Sequence, residues 1–482
     1  MNQENTNTQN ISESDSPLKQ VNHPAYKLYG PAIFVDDNGK LQFNQPSLAK
    51  RFIMDSKIAY EPGTNRLRQY GDKTGVWKLI DPTALKGELM DFIRAVCIEH
   101  GAEEFAQKIK PSVVNSVLTM VKSKGIPGDK PDNSNLFAVG NGILDFSSGT
   151  AVKQEFNPER WFTSGSTFQY TPEAKCPKFI EKLMKAALSD EDISLIQRYF
   201  GSIFLGPNHA QRILVLTGTA GSGKSTLVTI LERIIGTELV AYLRAEQLAG
   251  RFETSGFHDK RLLAGKDVPG DTLTHKGAKL IKCLTGNDSL ETETKYVANK
   301  EKMIGNFHLI LTSNSRLKIA FDGDEEAWKR RLLVVEFDHK PNGQPIPNFA
   351  ETLLKEEGAG ILGWLAEGAV NYAKEMAAKG NYELTERQQG KIDAIIAESR
   401  TVKEFVMARL KADQHAQITV DDLTKRYLDY CAEKGWIALT DRQFQNELPK
   451  ILKEVHGVVK RNDIISGDKS VRGFKGVGFF KN

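Results

Sequence analysis

The sequence predicts an α/β fold in which a mostly parallel sheet is layered between helices. The first observation is an apolar run at 212–217, typical of a buried strand, that leads into a glycine-rich loop at 218–225 and then an amphipathic helix. The second is a set of short, nearly continuous apolar runs, which are typical of buried parallel strands. These runs lie at 260–264, 307–312 and 331–337. Strands that alternate with helices indicate an α/β layer fold.

The chain before this core predicts a mixed, mainly helical domain with small β elements at 29–190. A polar tail at 1–28 has few aliphatic residues and is expected to be disordered. Apolar segments on both sides of a turn-rich stretch at 36–39 predict a small hairpin. Helices are predicted at 46–54, 83–99, 111–122, 177–188 and 190–204. We assign the domain to oligomerisation, as a collar.

The core is placed at 191–385, and the remainder at 386–482 predicts a helical and winged-helix domain. Helical patterns run from beyond 380 to about 409, and then lie at 420–434 and 441–455. Apolar segments between 464 and 480 predict a β-hairpin, and three helices with a hairpin are the winged-helix pattern. Basic residues outnumber acidic ones after 455. They form either a patch that meets nucleic-acid phosphates or a solvated basic tail.

Composition sets broad limits on the class of protein. With 482 residues and a formal net charge of +4, the chain has room for several domains but is not basic enough to indicate a nucleic-acid binder by charge alone. Its four cysteines are far apart and its nine histidines are not grouped, so neither a disulfide framework nor a zinc site is indicated. No apolar stretch reaches the ~18 residues of a membrane span and no signal peptide is recognisable, so a cytoplasmic location is expected.

The glycine-rich loop fills every fixed position of the pattern G-x-x-x-x-G-K-[ST], and its strand–loop–helix context marks it as a phosphate cradle. Glycines let backbone N–H groups turn inward, and the helix N-terminus adds positive potential. Lys224 is expected to reach the β- and γ-phosphates, and Ser225 to hold Mg²⁺. The predicted nucleotide-binding residues are Gly218, Thr219, Ala220, Gly221, Ser222, Gly223, Lys224, Ser225 and Thr226.

Two polar residues at strand ends are candidates for the rest of the site. Asp267 follows the run at 260–264 and offers a carboxylate for Mg²⁺ or for the attacking water. Asn314 follows the run at 307–312 and offers an amide that senses the γ-phosphate. Each residue alone is more often a turn residue, but their order after a phosphate loop favours the catalytic interpretation.

Two adjacent arginines, Arg330 and Arg331, precede the next strand. They are either a surface pair or an arginine finger, a guanidinium supplied in trans that stabilises charge on the γ-phosphoryl group. A finger implies a ring of subunits. The sequence leaves open which of the two arginines it is.

With these residues in place, the chain resembles a superfamily 3 helicase, specifically the helicase half of phage and plasmid primase–helicase proteins. The resemblance is carried by Trp77, 141–145, 218–225, Asp267, 282–288, Asn314, 328–332 and 357–368. It implies an AAA+-type fold and a hexameric ring, with ATP and Mg²⁺ bound between neighbouring subunits. The implied roles are phosphate and Mg²⁺ contacts for Lys224 and Ser225, Walker B acid for Asp267, sensor for Asn314 and finger for Arg330 or Arg331.

The same resemblance implies a DNA-contacting β-hairpin at 290–303, before the sensor strand. The candidates for DNA backbone contact are Lys295, Lys300 and Lys302. Lysines at a hairpin tip can neutralise phosphates without reading base sequence. As isolated residues, such lysines are more often solvated charges.

The sequence departs from the family pattern in two respects. Some relatives carry two adjacent acids at the end of the Walker B strand, whereas Lys266 precedes Asp267 here. Asp267 therefore serves both roles, or Asp271 assists it. Many relatives also carry an N-terminal primase domain; too few residues precede the resemblance here for one, and no primase activity is expected.

The predicted function is that of an ATP-driven, ring-forming DNA helicase in the replication of a phage, plasmid or genomic island in a bacterial host cytoplasm. The resemblance implies 3′→5′ travel on single-stranded or forked DNA. Further predicted partners are duplex origin DNA, bound through the winged helix, and other replication proteins. The alternative is an ATP-dependent origin-binding initiator or loader that does not unwind processively.

Overall fold

The structure, a computed structural model, describes most of the chain. The described residues are 18–61, 66–123, 133–244, 256–270, 272–273, 276–292, 301–315, 317–319, 325–337, 339, 346–436, 438–466 and 469–480. The chain divides into two compact units, Met1–Tyr170 and Thr171–Asn482. The domain boundaries at 190/191 and 385/386 stay predictions, and the tail predicted to be disordered lies largely outside the described residues.

Across its described residues, the first unit combines five helices with three small antiparallel sheets. Its helices are α1 (Tyr26–Tyr29), α2 (Gln45–Asp55), α3 (Pro82–Glu99), α4 (Glu103–Ala106) and α5 (Pro111–Ser123). Its strands are β1 (Ile33–Val35), β2 (Leu41–Phe43), β3 (Ile58–Glu61), β4 (Arg66–Gly71), β5 (Val76–Leu79), β6 (Leu136–Val139), β7 (Gly142–Asp145) and β8 (Val152–Gln154). They pair as β1-β2, β3-β4-β5 and β6-β7-β8.

Helix α3 shows why these helices form where the sequence predicts them. Asp81 caps it, because its carboxylate accepts hydrogen bonds from the amides of Thr83 and Ala84 at 2.9 and 3.0 Å, and proline occupies the first helical position. Apolar residues three or four positions apart then place one face in the core. The buried residues of this face are Leu85, Leu89, Ile93, Val96 and Cys97.

The second unit contains the predicted α/β core and the C-terminal elements. Its helices are a π-helix (Phe179–Met184), α6 (Asp190–Ser202), α7 (Lys224–Ile235), α8 (Lys276–Thr285), α9 (Glu325–Lys329), α10 (Phe349–Lys379), α11 (Glu386–Ser399), α12 (Thr401–Arg409), α13 (Val420–Glu433) and α14 (Asp441–His456), with 3-10 turns at Ile203–Leu205 and Thr237–Leu239. Its strands are β9 (Ile213–Gly218), β10 (Val240–Tyr242), β11 (Leu262–Gly265), β12 (Asp288–Thr292), β13 (Glu301–Gly305), β14 (His308–Thr312), β15 (Leu332–Phe337), β16 (Leu410–Thr419), β17 (Lys460–Ser466) and β18 (Lys469–Phe479).

Five of these strands form a parallel sheet in the order β10-β11-β14-β9-β15. The four longer ones are buried almost throughout, which confirms the prediction of buried parallel strands. Because the strands are parallel, their carboxyl ends share one edge, which holds the residues that follow β9, β11 and β14. β10 is an edge strand of three residues that the sequence analysis did not predict.

Helices α6 and α10 pack at very short range, and glycine makes this possible. A Cβ on Gly368 would lie 2.2 Å from the carbonyl oxygen of Gln197, and one on Gly201 would lie 2.2 Å from the amide nitrogen of Ala369. A Cβ on Gly360 would lie 2.1 Å from the carbonyl oxygen of Lys175. Two of these glycines belong to the 357–368 segment that carried the family resemblance, so that segment has a packing role.

The C-terminal elements follow the order α12, β16, α13, α14, β17, β18, with a three-stranded antiparallel sheet ordered β16-β18-β17. Their core is aromatic: Phe405, Tyr427 and Phe444 are buried, and the Tyr427 and Phe444 rings stack at 4.2 Å. The predicted helices and hairpin are present. β16 was not predicted.

None of the helices within the described part of the chain is both long and apolar enough to cross a membrane.

Candidate nucleotide-binding site

The glycine-rich loop connects β9 directly to α7. Gly218, Gly221 and Gly223 have φ angles of 131°, 79° and 94°, a region that favours glycine. Gly218 also lies very close to the backbone of β15: a Cβ at this position would be 2.4 Å from the carbonyl oxygen of Phe337. The backbone conformation therefore requires both fixed glycines of the motif, Gly218 and Gly223, and Gly218 is required also by the close approach of two strands.

Lys224 lies inside the loop that it terminates. Its ammonium donates hydrogen bonds to the carbonyl oxygens of Gly218 at 2.7 Å and Thr219 at 2.9 Å, and to Ser222 Oγ at 3.3 Å. The residue is 4% exposed. Burial lowers the pKa of Lys224, and attraction from the Asp267 carboxylate opposes that change. A cation is thus held in the loop, with a carboxylate from another strand close enough to act on it.

The rim of the loop is open. Thr219, Ala220, Gly221 and Ser225 are exposed. No side chain caps the N-terminus of α7, whose N-cap is Gly223. The first amides of a helix have no intrahelical acceptor, so uncapped ones suit an anionic ligand.

Asp267 occupies a tightly anchored turn after β11. Its φ is 51°, uncommon for a residue other than glycine, and its side chain is exposed. Its amide donates to Thr312 Oγ1 at 2.9 Å, and the amide of Val268 donates to the Thr312 carbonyl oxygen at 2.8 Å. The turn is therefore held by the last residue of β14, next to β11 in the sheet.

Ser313 ties three strand ends together. Its amide donates to the carbonyl oxygen of Leu216 in β9 at 3.0 Å, and its hydroxyl donates to the carbonyl oxygen of Val268 at 2.8 Å. The sequence predicts a role for Asn314, whereas the roles of Thr312 and Ser313 emerge only from the structure. The signal was present as a polar Thr-Ser-Asn ending to an apolar strand. Asn314 itself is exposed, two residues beyond β14, at the edge that carries Asp267.

Lys266 points away from the loop and toward α7. Its ammonium lies 2.6 Å from Glu232 Oε2 and 5.2 Å from the centroid of the Tyr242 ring. Burial raises the pKa of Glu232, and the hydrogen bond from Lys266 opposes that change. Lys266 is a departure from the family pattern in the sequence, but its partner Glu232 is evident only in the structure.

The two adjacent arginines differ in environment. Arg330 is exposed. Arg331 is 7% exposed, and its guanidinium donates to the carbonyl oxygen of Ala327 at 2.8 Å. Burial lowers the pKa of Arg331, and attraction from Asp288 at the start of β12 opposes that change. Arg331 is thus packed within its own subunit, whereas Arg330 faces outward.

The segment expected to contact DNA contains an antiparallel pair, β12 and β13, which runs from Asp288 opposite Gly305 to Thr292 opposite Glu301. Lys302 lies on β13 and is exposed. Lys295 and Lys300, and also Asp271, lie outside the described residues.

The oxygen donors at the loop fit a magnesium ion. Ser225 offers an exposed hydroxyl and Asp267 an exposed carboxylate, the hard ligands that Mg²⁺ accepts alongside water and phosphate oxygens. Over the described part of the chain there is no cluster of three or more His, Cys, Asp or Glu side chains that could hold a metal by itself. A site of this kind suits a metal that binds together with a nucleotide.

Three protein-family models match successive parts of the chain. They are "D5 N terminal like" at 48–188, a family of unknown function (DUF5906) at 216–331, and "Poxvirus D5 protein-like" at 397–472. The unknown-function family thus covers the glycine-rich loop, Asp267, Asn314 and both arginines. The two flanking matches support a relationship to D5-like proteins.

A protein of Frog virus 3 (isolate Goorha) named "Putative helicase 022R" is 24% identical over 302 residues, which cover 58% of this chain and 29% of the viral protein. The chain therefore matches less than a third of that relative's length. Among solved structures, the apo C-terminal region of NrS-1 (305–718) is similar at 14% identity with a TM-score of 0.49, covering 89% of this chain and 98% of that one. The A form apo structure of the NrS-1 C-terminal region is similar at 13% identity with a TM-score of 0.46, covering 89% of this chain and 98% of that one.

Proposed function

We propose that the chain is the motor part of an ATP-dependent DNA helicase of the D5-like, superfamily 3 type, acting in replication of a phage, plasmid or genomic island. The observation that carries the proposal is the position of the buried Lys224 in the glycine-rich loop between β9 and α7, at the carboxyl edge of the parallel sheet that also carries the exposed Asp267 after β11. That arrangement supplies a phosphate contact and a metal-binding acid at one place. The name of the Frog virus 3 relative and the D5-type matches support the helicase assignment.

The nucleotide chemistry follows from the residues at the loop. On binding, the β- and γ-phosphates of ATP replace the loop carbonyls as partners of Lys224. Mg²⁺, when bound, neutralises charge that develops on the phosphate oxygens. Ser225 and Asp267 would hold the ion, Asp267 would also orient the attacking water, and Asn314 would contact the γ-phosphate. The strand order β10-β11-β14-β9-β15 supports an AAA+-type core, because the acid-bearing and sensor strands are adjacent and the loop strand lies beside the sensor strand.

Arg330 is the proposed arginine finger. It is exposed, so it can reach the site of a neighbouring subunit, whereas the buried Arg331 is engaged within its own. A finger acting in trans requires a neighbouring subunit, and we propose that the subunits form a hexameric ring. The β12–β13 hairpin, with Lys295, Lys300 and Lys302, then contacts single-stranded DNA in the pore, and travel is 3′→5′.

The C-terminal elements are proposed as a winged helix that binds duplex DNA. Their order, helix–strand–helix–helix–strand–strand, supports that fold. On α14, the exposed residues at one face are Arg442, Asn446, Lys450 and Lys453, a stripe without an acidic residue. Arginine and asparagine suit base edges in the major groove, and lysine suits backbone phosphates.

Strand displacement on a tailed duplex tests the helicase proposal. The wild type is expected to displace the strand with ATP, and Lys300→Ala to keep ATP-dependent oligomerisation while losing displacement. Lys86→Ala, which removes an exposed lysine from α3, is the matched control and is expected to behave as wild type. A wild-type protein that hydrolyses ATP but never displaces a strand would contradict the proposal.

The second candidate is an ATP-dependent initiator or loader, and the acid-free stripe of α14 is the observation that favours it. Footprinting on genomic fragments with purified protein separates the two candidates. If the wild type protects and melts one particular sequence but does not displace the strand of a tailed duplex, the initiator is the better description. ATPase activity that rises with single-stranded DNA supports the helicase.

A further inference from the structure

Lys266 presents an electrostatic problem for the proposed magnesium site. It directly precedes Asp267, the carboxylate proposed to hold Mg²⁺. A lysine ammonium on a four-carbon stem could pair with that carboxylate and compete with the ion, because both cations are attracted to the same oxygens. Something in the fold must therefore keep the ammonium elsewhere.

In the structure the Lys266 ammonium lies against α7. The ammonium lies 2.6 Å from Oε2 of Glu232, a residue that is 3% exposed. The ammonium also lies over the exposed Tyr242 ring, 5.2 Å from its centroid. The second carboxylate oxygen of Glu232 is buried and makes no hydrogen bond to any described residue. A buried carboxylate with an unsatisfied oxygen is costly, so Glu232 depends on Lys266 for compensation.

The backbone separates the two side chains. Asp267 is held at a φ of 51° by the hydrogen bond to Thr312, and Val268 is held by the same residue. A left-handed residue turns the chain sharply, so Lys266 and Asp267 leave the turn in different directions. Lys266 reaches Glu232, and Asp267 remains exposed.

We infer that Glu232 is a positioning residue that sequesters the Lys266 ammonium and thereby leaves Asp267 available to Mg²⁺. This inference rests on the proposed nucleotide chemistry. It assigns Glu232, on the helix that follows the phosphate loop, a role in metal affinity that does not require contact with metal or nucleotide. Some relatives carry a second acid at the position of Lys266. A lysine is tolerated at this position because Glu232 on α7 neutralises it.

The inference makes an asymmetric prediction for the two partners. Glu232→Gln releases the ammonium and should raise the Mg²⁺ concentration needed for half-maximal nucleotide binding about 10-fold, the usual size of an outer-shell effect. Lys266→Gln removes the competitor and should leave that concentration unchanged. The double variant should return to the wild-type value. A residue that merely supported the fold would instead make both single variants similarly defective.

The measurement is equilibrium binding of a fluorescent, non-hydrolysable ATP analogue during titration with MgCl₂, with ATP turnover measured in parallel. The matched control is Glu356→Gln, which breaks the exposed ion pair between Glu356 and Lys178. That pair has the same N–O distance as the Lys266–Glu232 pair, 2.6 Å. It should leave the Mg²⁺ titration unchanged. Thermal unfolding of each variant, followed before the titration, establishes that it is folded.

The outcomes distinguish a failure of the proposed function from a failure of the role inferred for Glu232. If the wild type does not bind the analogue at any Mg²⁺ concentration, the proposed function fails. If it binds but Glu232→Gln titrates as wild type, or Lys266→Gln is as defective as Glu232→Gln, the inference alone is overturned. Should Glu232→Gln not fold, Glu232→Asp replaces it: the shorter carboxylate holds the ammonium less well, and an unchanged Mg²⁺ titration would equally overturn the inference.

Discussion

The backbone amide of Asp267 and the side-chain hydroxyl of Thr312 are joined by a hydrogen bond of 2.9 Å. Thr312 is fully buried at the end of β14, and Asp267 is exposed beyond β11. The proposed metal-binding acid is thus fixed by the strand that leads to the proposed sensor, Asn314. A change at the sensor strand can therefore move the acid.

Thr312→Val should lower ATP turnover with little change in KM. Valine preserves the shape of the side chain but leaves the amide of Asp267 without this acceptor, a loss of about 0.5–1.5 kcal/mol. The turn then relaxes from its left-handed conformation and the carboxylate is displaced. Steady-state kinetics measures the effect. Thr312→Ser retains the hydroxyl and is the control; equal defects in both variants would argue against the hydrogen bond as the cause.

Arg330 and Arg331 should fail in different ways. Arg330→Ala should lower turnover about 10³-fold without changing stability, because the side chain is exposed and a finger contributes on that scale. Arg331→Ala should lower the free energy of unfolding by about 1–3 kcal/mol, because a buried guanidinium and its bond to Ala327 are lost. Kinetics and urea unfolding of each variant distinguish the two.

Mixing inactive variants tests whether the finger acts in trans. Lys224→Ala should abolish hydrolysis at its own site but keep its finger, and Arg330→Ala should do the reverse. In a mixed ring, some interfaces combine an intact loop with an intact finger, so activity should reappear. A mixture that stays inactive, although the subunits co-assemble by size-exclusion chromatography, would remove Arg330 as the finger.

The packing of α6 on α10 predicts opposite effects for two glycines of the same helix. Gly368→Ala should destabilise the protein by about 1–3 kcal/mol, because the added Cβ would lie 2.2 Å from the Gln197 carbonyl oxygen. Gly363→Ala meets its nearest atom, the carbonyl oxygen of Ala174, at 4.0 Å. It should stabilise by about 0.5–1 kcal/mol, since alanine favours helix more than glycine does. Thermal unfolding of both variants measures the difference, and equal shifts would contradict the close approach.

The parts of the fold that the sequence predicted are those with a local signal. The glycine-rich loop and its flanking β9 and α7 follow from a contiguous pattern, and continuous apolar runs mark β11, β14 and β15. Strand β16 carried no such signal, because its middle is polar and only Leu410 and Ile418 are buried. It is a strand because it pairs with β18, across an irregularity between Asp413 and Gln417.

The parts of the site that the sequence could not supply are contacts between distant residues. The Lys266–Glu232 hydrogen bond joins positions 34 apart, and the Asp267–Thr312 bond joins positions 45 apart. Neither glutamate in the middle of a helix nor threonine at a strand end indicates such a partner by itself. The different environments of Arg330 and Arg331 likewise depend on the contacts of Arg331 with Ala327 and on the nearby Asp288, which two adjacent identical residues cannot reveal.

His308 predicts how stability depends on pH. It is fully buried at the start of β14, with Nε2 3.0 Å from the carbonyl oxygen of Gly206, to which the neutral ring donates. Burial lowers the pKa of His308 from 6.5 to about 4, against the opposing hydrogen bond to Gly206. Between these values the unfolded chain binds a proton that the folded chain refuses, so stability is full above pH 6.5 and declines as pH falls toward 4.

The size and the control of this pH effect follow from the same shift. At pH 5, His308 should cost the folded state about 2 kcal/mol relative to pH 7.5. His308→Gln has no titrating ring and can still donate to Gly206, so its free energy of unfolding should fall about 2 kcal/mol less over that range. Urea unfolding at both pH values measures the two differences. Equal losses in wild type and variant would mean that the His308 ring is protonated in the folded state. That result would contradict the burial of the ring against Gly206. The contacts around the ring are Gly206, Ser202 and Tyr199, and none of them is an acidic partner for a charged imidazole.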